Sequence, residues 1–126
     1  MDKIELKNRT KKFGVDTIKF VDNLSNSRSN NHIAGQLIRS ATSVGANYRA
    51  ALRGKSNPDF LNKIKIVEEE ADECIYWLEV LEETNSTIDI SEIDRLKKES
   101  NELTAIFTAI VKTLKLKNQK FLKIKT

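Results

Sequence analysis

Between Pro58 and Thr84 the chain carries an apolar residue at every third or fourth position and nothing that breaks a helix. Phe60, Ile64, Val67, Ala71, Cys74, Leu78 and Leu81 recur at alternating steps of four and three. On a helix that spacing makes one continuous apolar stripe, and no strand can present it on one face. At 1.5 Å rise per residue the segment spans about 40 Å. Asn57 reads as its N-cap, with Pro58 at the first helical position and Asp59 at the positive end of the helix dipole. A helix of this length with one greasy side must hide that side against other helices.

The rest of the chain supplies them. The polar stretch from Ser25 to Asn31 reads as a loop, Gly54 with Asn57-Pro58 as a second break, and Thr84 to Thr87 followed by Asp89 as a third. Four segments result, and with only four Gly and one Pro in 126 residues none needs internal turns. In the second segment Ile33, Leu37, Ala41, Val44, Tyr48 and Leu52 form the stripe, interleaved with the small residues Ala34, Ser40, Ala46 and Ala51. In the fourth, Ile93, Leu96, Leu103, Ile106, Phe107, Ile110, Val111 and Leu114 do so, and Ser91 with Asp94 reads as a capping box. The first segment carries Phe13, Thr17, Phe20 and Leu24; Gly14 and the polar run before it leave its starting point open. Only Phe121 to Lys125 hints at period-two alternation. The expected fold is all-α, an antiparallel up-down-up-down four-helix bundle. It forms a single domain over residues 1–126, with a lysine-rich C-terminal extension from about residue 115. Leu61, Ile75 and Trp77 lie off the stripe of the third helix, which makes them candidates for an oligomer interface.

Few residues invite catalysis. Cys74 is a lone cysteine on an apolar stripe and reads as a small buried hydrophobe. His32 is the one histidine, 42 residues away, and reads as an exposed or capping residue; the two do not make a metal site. The carboxylates Glu68, Glu69, Glu70, Asp72 and Glu73 could suggest a di-metal bundle, but that chemistry needs Glu-x-x-His pairs and the chain has none. They read instead as a solvated face or as partners for Arg and Lys on a neighbouring helix. The glycines at 14, 35, 45 and 54 fit no phosphate-binding loop. The expectation is a protein that is not an enzyme and takes no cofactor and no small-molecule substrate. The charged N-terminus lacks a signal-peptide core and no apolar run reaches the ~20 residues of a membrane span, so the reading is cytoplasmic.

Charge is segregated along the chain. Residues 1–65 carry 13 Lys and Arg against 5 acids, residues 66–102 carry 3 against 13, and residues 103–126 carry 6 lysines and no acid. Such blocks either pair between helices or present faces of opposite sign to partners. Arg39, Arg49, Arg53 and Lys55 on the second helix and its exit, Lys63 on the third, and Lys112, Lys115, Lys117 and Lys120 on the fourth are candidate contacts to a nucleic-acid backbone. Aromatic interleaving is poor, with Phe121 alone in the tail able to stack on a base. Arg39 and Asn47 also suit a structural or interface role.

The run Gln36-Leu37-Ile38-Arg39-Ser40-Ala41-Thr42-Ser43-Val44-Gly45-Ala46-Asn47-Tyr48 resembles a signature of the four-helix-bundle proteins encoded in intervening sequences of bacterial 23S ribosomal RNA genes. The helix from Asn57 to Glu73 and its continuation Trp77-Leu78-Glu79 are similar to the next helix of that family. The likeness is specific over about residues 33–84 and looser elsewhere. It implies an antiparallel bundle assembling into a homopentameric ring without catalytic activity, in a family whose biochemical role is not established. A more distant likeness, to the accessory protein of diversity-generating retroelements, implies a basic pentamer that binds nucleic acid. Where many family members place a glutamate after the Asn-containing motif, this chain has Ala50-Ala51. Two functions follow as expectations: an oligomeric scaffold or adaptor that binds RNA or DNA, or a protein–protein interaction module with no nucleic-acid binding.

Overall fold

A computed structural model of the chain describes residues 1–125, with side chains as far as Gln119. Four helices make up the fold: α1 (Lys3–Val21), α2 (Arg28–Leu52), α3 (Asn57–Thr84) and α4 (Ile90–Lys125). Each begins where a short polar side chain takes over an unpaired backbone N–H. Asp2 accepts from the Glu5 N–H at 2.8 Å, Ser27 from Asn30 at 3.1 Å, Ser56 from Asp59 at 3.3 Å, and Asp89 from Glu92 at 3.1 Å.

These caps move three boundaries away from the sequence expectation. Ser56, in extended backbone, caps α3 in place of Asn57, which is already helical; Pro58 then sits one position further in, still within the turn whose N–H groups have no helical acceptor. Asp89 caps α4 in place of Ser91, because its carbonyl already receives the Ile93 N–H at 3.0 Å. Ser27 starts α2 inside the polar stretch, so residues 28–31 are helix and not loop. The open start of α1 resolves at Lys3: Leu6 and Thr10 extend the stripe of Phe13, Thr17 and Phe20 backwards, and all five are buried. At the other end α4 continues as helix over the 121–125 segment whose alternation hinted at a strand.

The core is the meeting of the four stripes. On α3, Ile64, Val67, Ala71, Cys74, Leu78 and Leu81 are wholly enclosed, while Phe60 is half-buried at the helix's first turn. Leu37, Ala41 and Val44 of α2 face them, and Ile93, Leu96, Leu103 and Phe107 come from α4. Tyr48 meets Phe107 edge-on, ring centroids 5.4 Å apart, tying α2 to α4 across the interior. Buried hydroxyls return to their own helices: Thr17 donates to the Phe13 carbonyl at 2.8 Å and Ser100 to that of Leu96 at 2.9 Å. The core therefore keeps no spare polar group on these side chains.

Each helix packs against the next, α1 also touches α4, and α1 and α3 stand diagonally. Cross-links fix the directions. Asn30 and Asn85 exchange amide hydrogen bonds at 2.9 and 3.0 Å, whereas Arg39, further along α2, pairs with Glu70, earlier on α3. Arg9 pairs with Glu99 at 2.6 Å, and Asp16 with Arg95 at 3.2 Å. Residue numbers rise on one helix as they fall on its neighbour, which is up-down-up-down. At Gly45 a Cβ would stand 3.3 Å from the backbone of Thr10, so the missing side chain is what lets α1 and α2 approach.

Desolvation pushes the Asp16 carboxyl up, but hydrogen bonds from Lys12 and Arg95 outweigh it and hold its pKa below the ordinary carboxylate value. Burial pushes the Cys74 thiol far above the usual thiol range.

Three outcomes are expected. Phe107→Ala should cost about 3–5 kcal/mol in denaturant unfolding, through a cavity between α2 and α4. Asp16→Asn should cost about 1 kcal/mol near neutral pH. Because the folded carboxyl titrates below its unfolded value of about 3.9, the stabilisation is complete above that pH and fades as pH falls through the folded pKa; unfolding titrations should show the two chains converging there. Cys74 should stay unmodified by a thiol reagent in the folded protein and react on unfolding.

Candidate nucleic-acid interface

Antiparallel packing brings the ends of the four helices together in two groups. The start of α1, the end of α2, the start of α3 and the final third of α4 share one end of the bundle: Lys3, Leu52, Phe60 and Leu114 line one depression there. Phe20, Leu24, Asn85 and Ile88 line a second depression at the opposite end.

The candidate cations divide by this geometry. Arg53, Lys55 and Lys63 converge on a shallow groove at the α2–α3 elbow, lined also by Asp59, Asn62 and Ile66. Lys55 lines the neighbouring depression as well, where Lys3 joins it. Arg49 is exposed one turn before Arg53 on α2, and Lys112, Lys115 and Lys117 are exposed on the part of α4 that flanks Leu114. Among the described residues none of these cations makes an ion pair within the chain. The side chain of Lys120 lies outside the described residues, as does that of Phe121.

Arg39 sits differently. It lies halfway along α2, paired with Glu70 at 3.1 Å and with Glu73, while Ser40 donates to the same Glu73 carboxylate. Its hydrogen bond to Glu70 is the main reason its pKa is raised, and its charge is spent on joining α2 to α3. The amide of Asn47 donates to the Ser43 carbonyl of its own helix at 2.9 Å. His32 is exposed. In the acidic run Glu70 and Glu73 answer Arg39, and Glu82 further along α3 answers Lys97 at 2.9 Å, whereas Glu69 and Asp72 stand exposed.

Of the interface candidates, Leu61 and Trp77 are half-buried and packed against the core, and Ile75 is half-buried. Among the described residues the indole N–H of Trp77 is enclosed without an acceptor. The large apolar α3 residues that stand out into solvent are Ile66, on the floor of the basic groove, and Tyr76, among carboxylates. Sequence reasoning missed them because charged neighbours hide single apolar positions. It also missed Lys3, which nothing but the antiparallel return of α1 places beside Lys55.

The groove at the α2–α3 elbow is open, floored by Ala50 and Ile66 and walled by three cations against one carboxylate. It has the chemistry to hold phosphate groups at its rim, without the aromatic surface that would stack bases.

Comparison with known proteins agrees with the architecture. A family profile described as 23S rRNA-intervening sequence protein matches residues 2–109. The crystal structure of a protein of unknown function from the S23 ribosomal protein family of Bacteroides thetaiotaomicron VPI-5482 superposes with a TM-score of 0.79 at 32% identity, covering 89% of this chain and 99% of that one. No curated protein matches the chain. Four helices in this order, with the matched stretch running through all of them, place the chain in the family of 23S rRNA-intervening sequence proteins.

Proposed function

We propose that this protein is a non-enzymatic oligomeric scaffold whose basic end holds the phosphate backbone of RNA or DNA. One observation carries the reading: Lys3, Arg53, Lys55 and Lys63, drawn from three separate parts of the sequence, converge on one end of the bundle where Asp59 is the one carboxylate lining the groove, and among the described residues none of the four makes an ion pair. Unpaired cations brought together by folding raise the local potential beyond what each supplies alone. Lys112, Lys115 and Lys117 are exposed on α4, whose Leu114 lines a depression at the same end.

The same surface argues for recognition through backbone and not through bases. Phe60, the aromatic lining this end, is half-buried against the core. Affinity then comes from counterion release and is indifferent to sequence. Assembly strengthens it: in a ring whose axis runs along the bundles, every copy presents its basic end on the same side, and several weak sites act together. A pentamer is the size the family likeness implies. The protein acts inside the cell in this reading, as its ligand requires. For the absence of catalysis, the support is that Glu70, Glu73, Glu82 and Glu99 are engaged with cations of neighbouring helices and so hold the bundle together.

A titration of labelled duplex and single-stranded RNA and DNA across a salt series tests the proposal. Binding should weaken steeply with salt and vary little with sequence. Replacing Arg53, Lys55 and Lys63 together by glutamine should lower affinity at least about tenfold and flatten the slope of log K against log salt by about 2–3. No binding at low salt, or binding indifferent to salt, overturns it; partners recovered from a lysate equally well after nuclease treatment would favour a protein-interaction module.

A further inference from the structure

Two surfaces on this bundle are complementary and cannot meet within one chain. The first is a groove between α1 and α2 of about 220 Å³, floored by Gly14 and Gly45 and edged by Val15, Ile18 and Ala46. Val15 is 41% exposed and Ile18 36%. Lys11 and Arg49 flank the groove and no acid lines it. The floor is low because α1 and α2 come together at Gly45, where a Cβ would crowd Thr10.

The second surface is the outer face of α3. Glu69, Asp72, Tyr76 and Glu79 follow one another at steps of three and four, on the side of the helix opposite the buried stripe, and all are exposed. Tyr76 is 58% exposed and stands edge-on against Trp77, ring centroids 4.9 Å apart, which holds it upright. Tyr76 stands between Asp72 and Glu79, about one turn away on either side, with no cation on this stretch of the face. An apolar groove with basic edges fits an apolar ridge with acidic edges.

Because α1 and α3 are diagonal in the bundle, the ridge faces away from the groove, and a chain cannot fill its own. We infer that the occupant of the α1–α2 groove is the α3 ridge of a second copy, with Tyr76 as the anchor and Glu69 and Asp72 facing Lys11 and Arg49. The contact is head-to-tail: each copy offers a groove on one side and a ridge on the other. Repeated around an axis it closes a ring. The assignment rests on the oligomeric reading proposed above and adds to it which faces mate. It also moves the contact from Leu61, Ile75 and Trp77, of which Leu61 and Trp77 pack against the core, to Tyr76, which stands in solvent.

A head-to-tail contact has a signature that a face-to-face one lacks. Tyr76→Asp spoils the ridge and leaves the groove; Val15→Glu spoils the groove and leaves the ridge. Both sites are exposed, so circular dichroism should show unchanged helicity. By light scattering at low micromolar concentration, the unaltered protein should be an oligomer and each variant alone a single chain. Mixed in equal amounts, the two variants should form a one-to-one pair and nothing larger, since one intact groove and one intact ridge remain. Trp77, the single tryptophan, should report the pairing by a fluorescence change on the Val15→Glu chain, whose ridge is the intact one. If the unaltered protein is itself a single chain, the oligomeric reading falls and this assignment with it. If it assembles but either variant assembles equally well, or the mixture stays monomeric, the assignment of faces alone is overturned.

Discussion

Enclosure of the α3 stripe is the constraint from which the rest of the structure follows. Six side chains from Ile64 to Leu81 lose all contact with solvent, which needs a helix along each flank. At about 1.5–3 kcal/mol for each large apolar side chain, this burial far exceeds any surface ion pair in the molecule, worth at most about 1 kcal/mol. So α2 and α4 are held by apolar contact. The polar cross-links, Asn30 to Asn85 and Arg39 to Glu70, sit at heights where one register alone satisfies them. They choose among arrangements that the core makes possible.

The fourth helix of the square is held by different means. α1 packs against α2 through the close approach at Gly45 and reaches α4 mainly through ion pairs, Arg9 with Glu99 and Glu102, and Asp16 with Arg95. Its outer flank keeps Val15 and Ile18 in solvent. A bundle whose last helix is only partly covered leaves an apolar seam, and that seam is where a second copy gains most by binding. The same economy explains the interior. Thr10, Thr17 and Ser100 return their hydroxyls to their own helices, so the core keeps no unpaired polar group on these side chains.

Antiparallel connection gives the ends of the bundle their character. Along the sequence, the basic first half and the basic last fifth are separated by an acidic stretch. Folding turns α4 back so that Leu114 shares a depression with Leu52 and Phe60, while Glu79, Glu82, Glu83, Asp89, Glu92 and Asp94 lie toward the opposite end, around the α3–α4 turn. Arg9 and Arg39 meet carboxylates across the gaps between helices, as do Arg95 and Lys97, whereas Arg53, Lys55 and Lys63 make no ion pair among the described residues. What stands across the gap separates structural cations from those available to a partner, a distinction invisible in residue type.

Periodicity alone determined the helices, the faces they bury and hence the bundle, since a stripe at steps of three and four has one low-energy way to leave water. The stripes of α2, α3 and α4 read directly from the sequence, as did the burial of Cys74 and the exposure of His32. Caps read less well: Ser56, Asp89 and Ser27 each lie one to four residues from the expected edge, because neighbouring polar residues compete for the same backbone N–H groups and small energy differences decide. Only the tertiary structure decided which cations are free, because pairing depends on what stands across the gap between helices. Arg39 and Arg53 look alike in sequence, yet one faces Glu70 and the other an open groove. Only the tertiary structure, too, raised Tyr76 and Ile66 into solvent: a face is defined by its neighbours, and no residue knows its neighbours until the chain has folded back on itself.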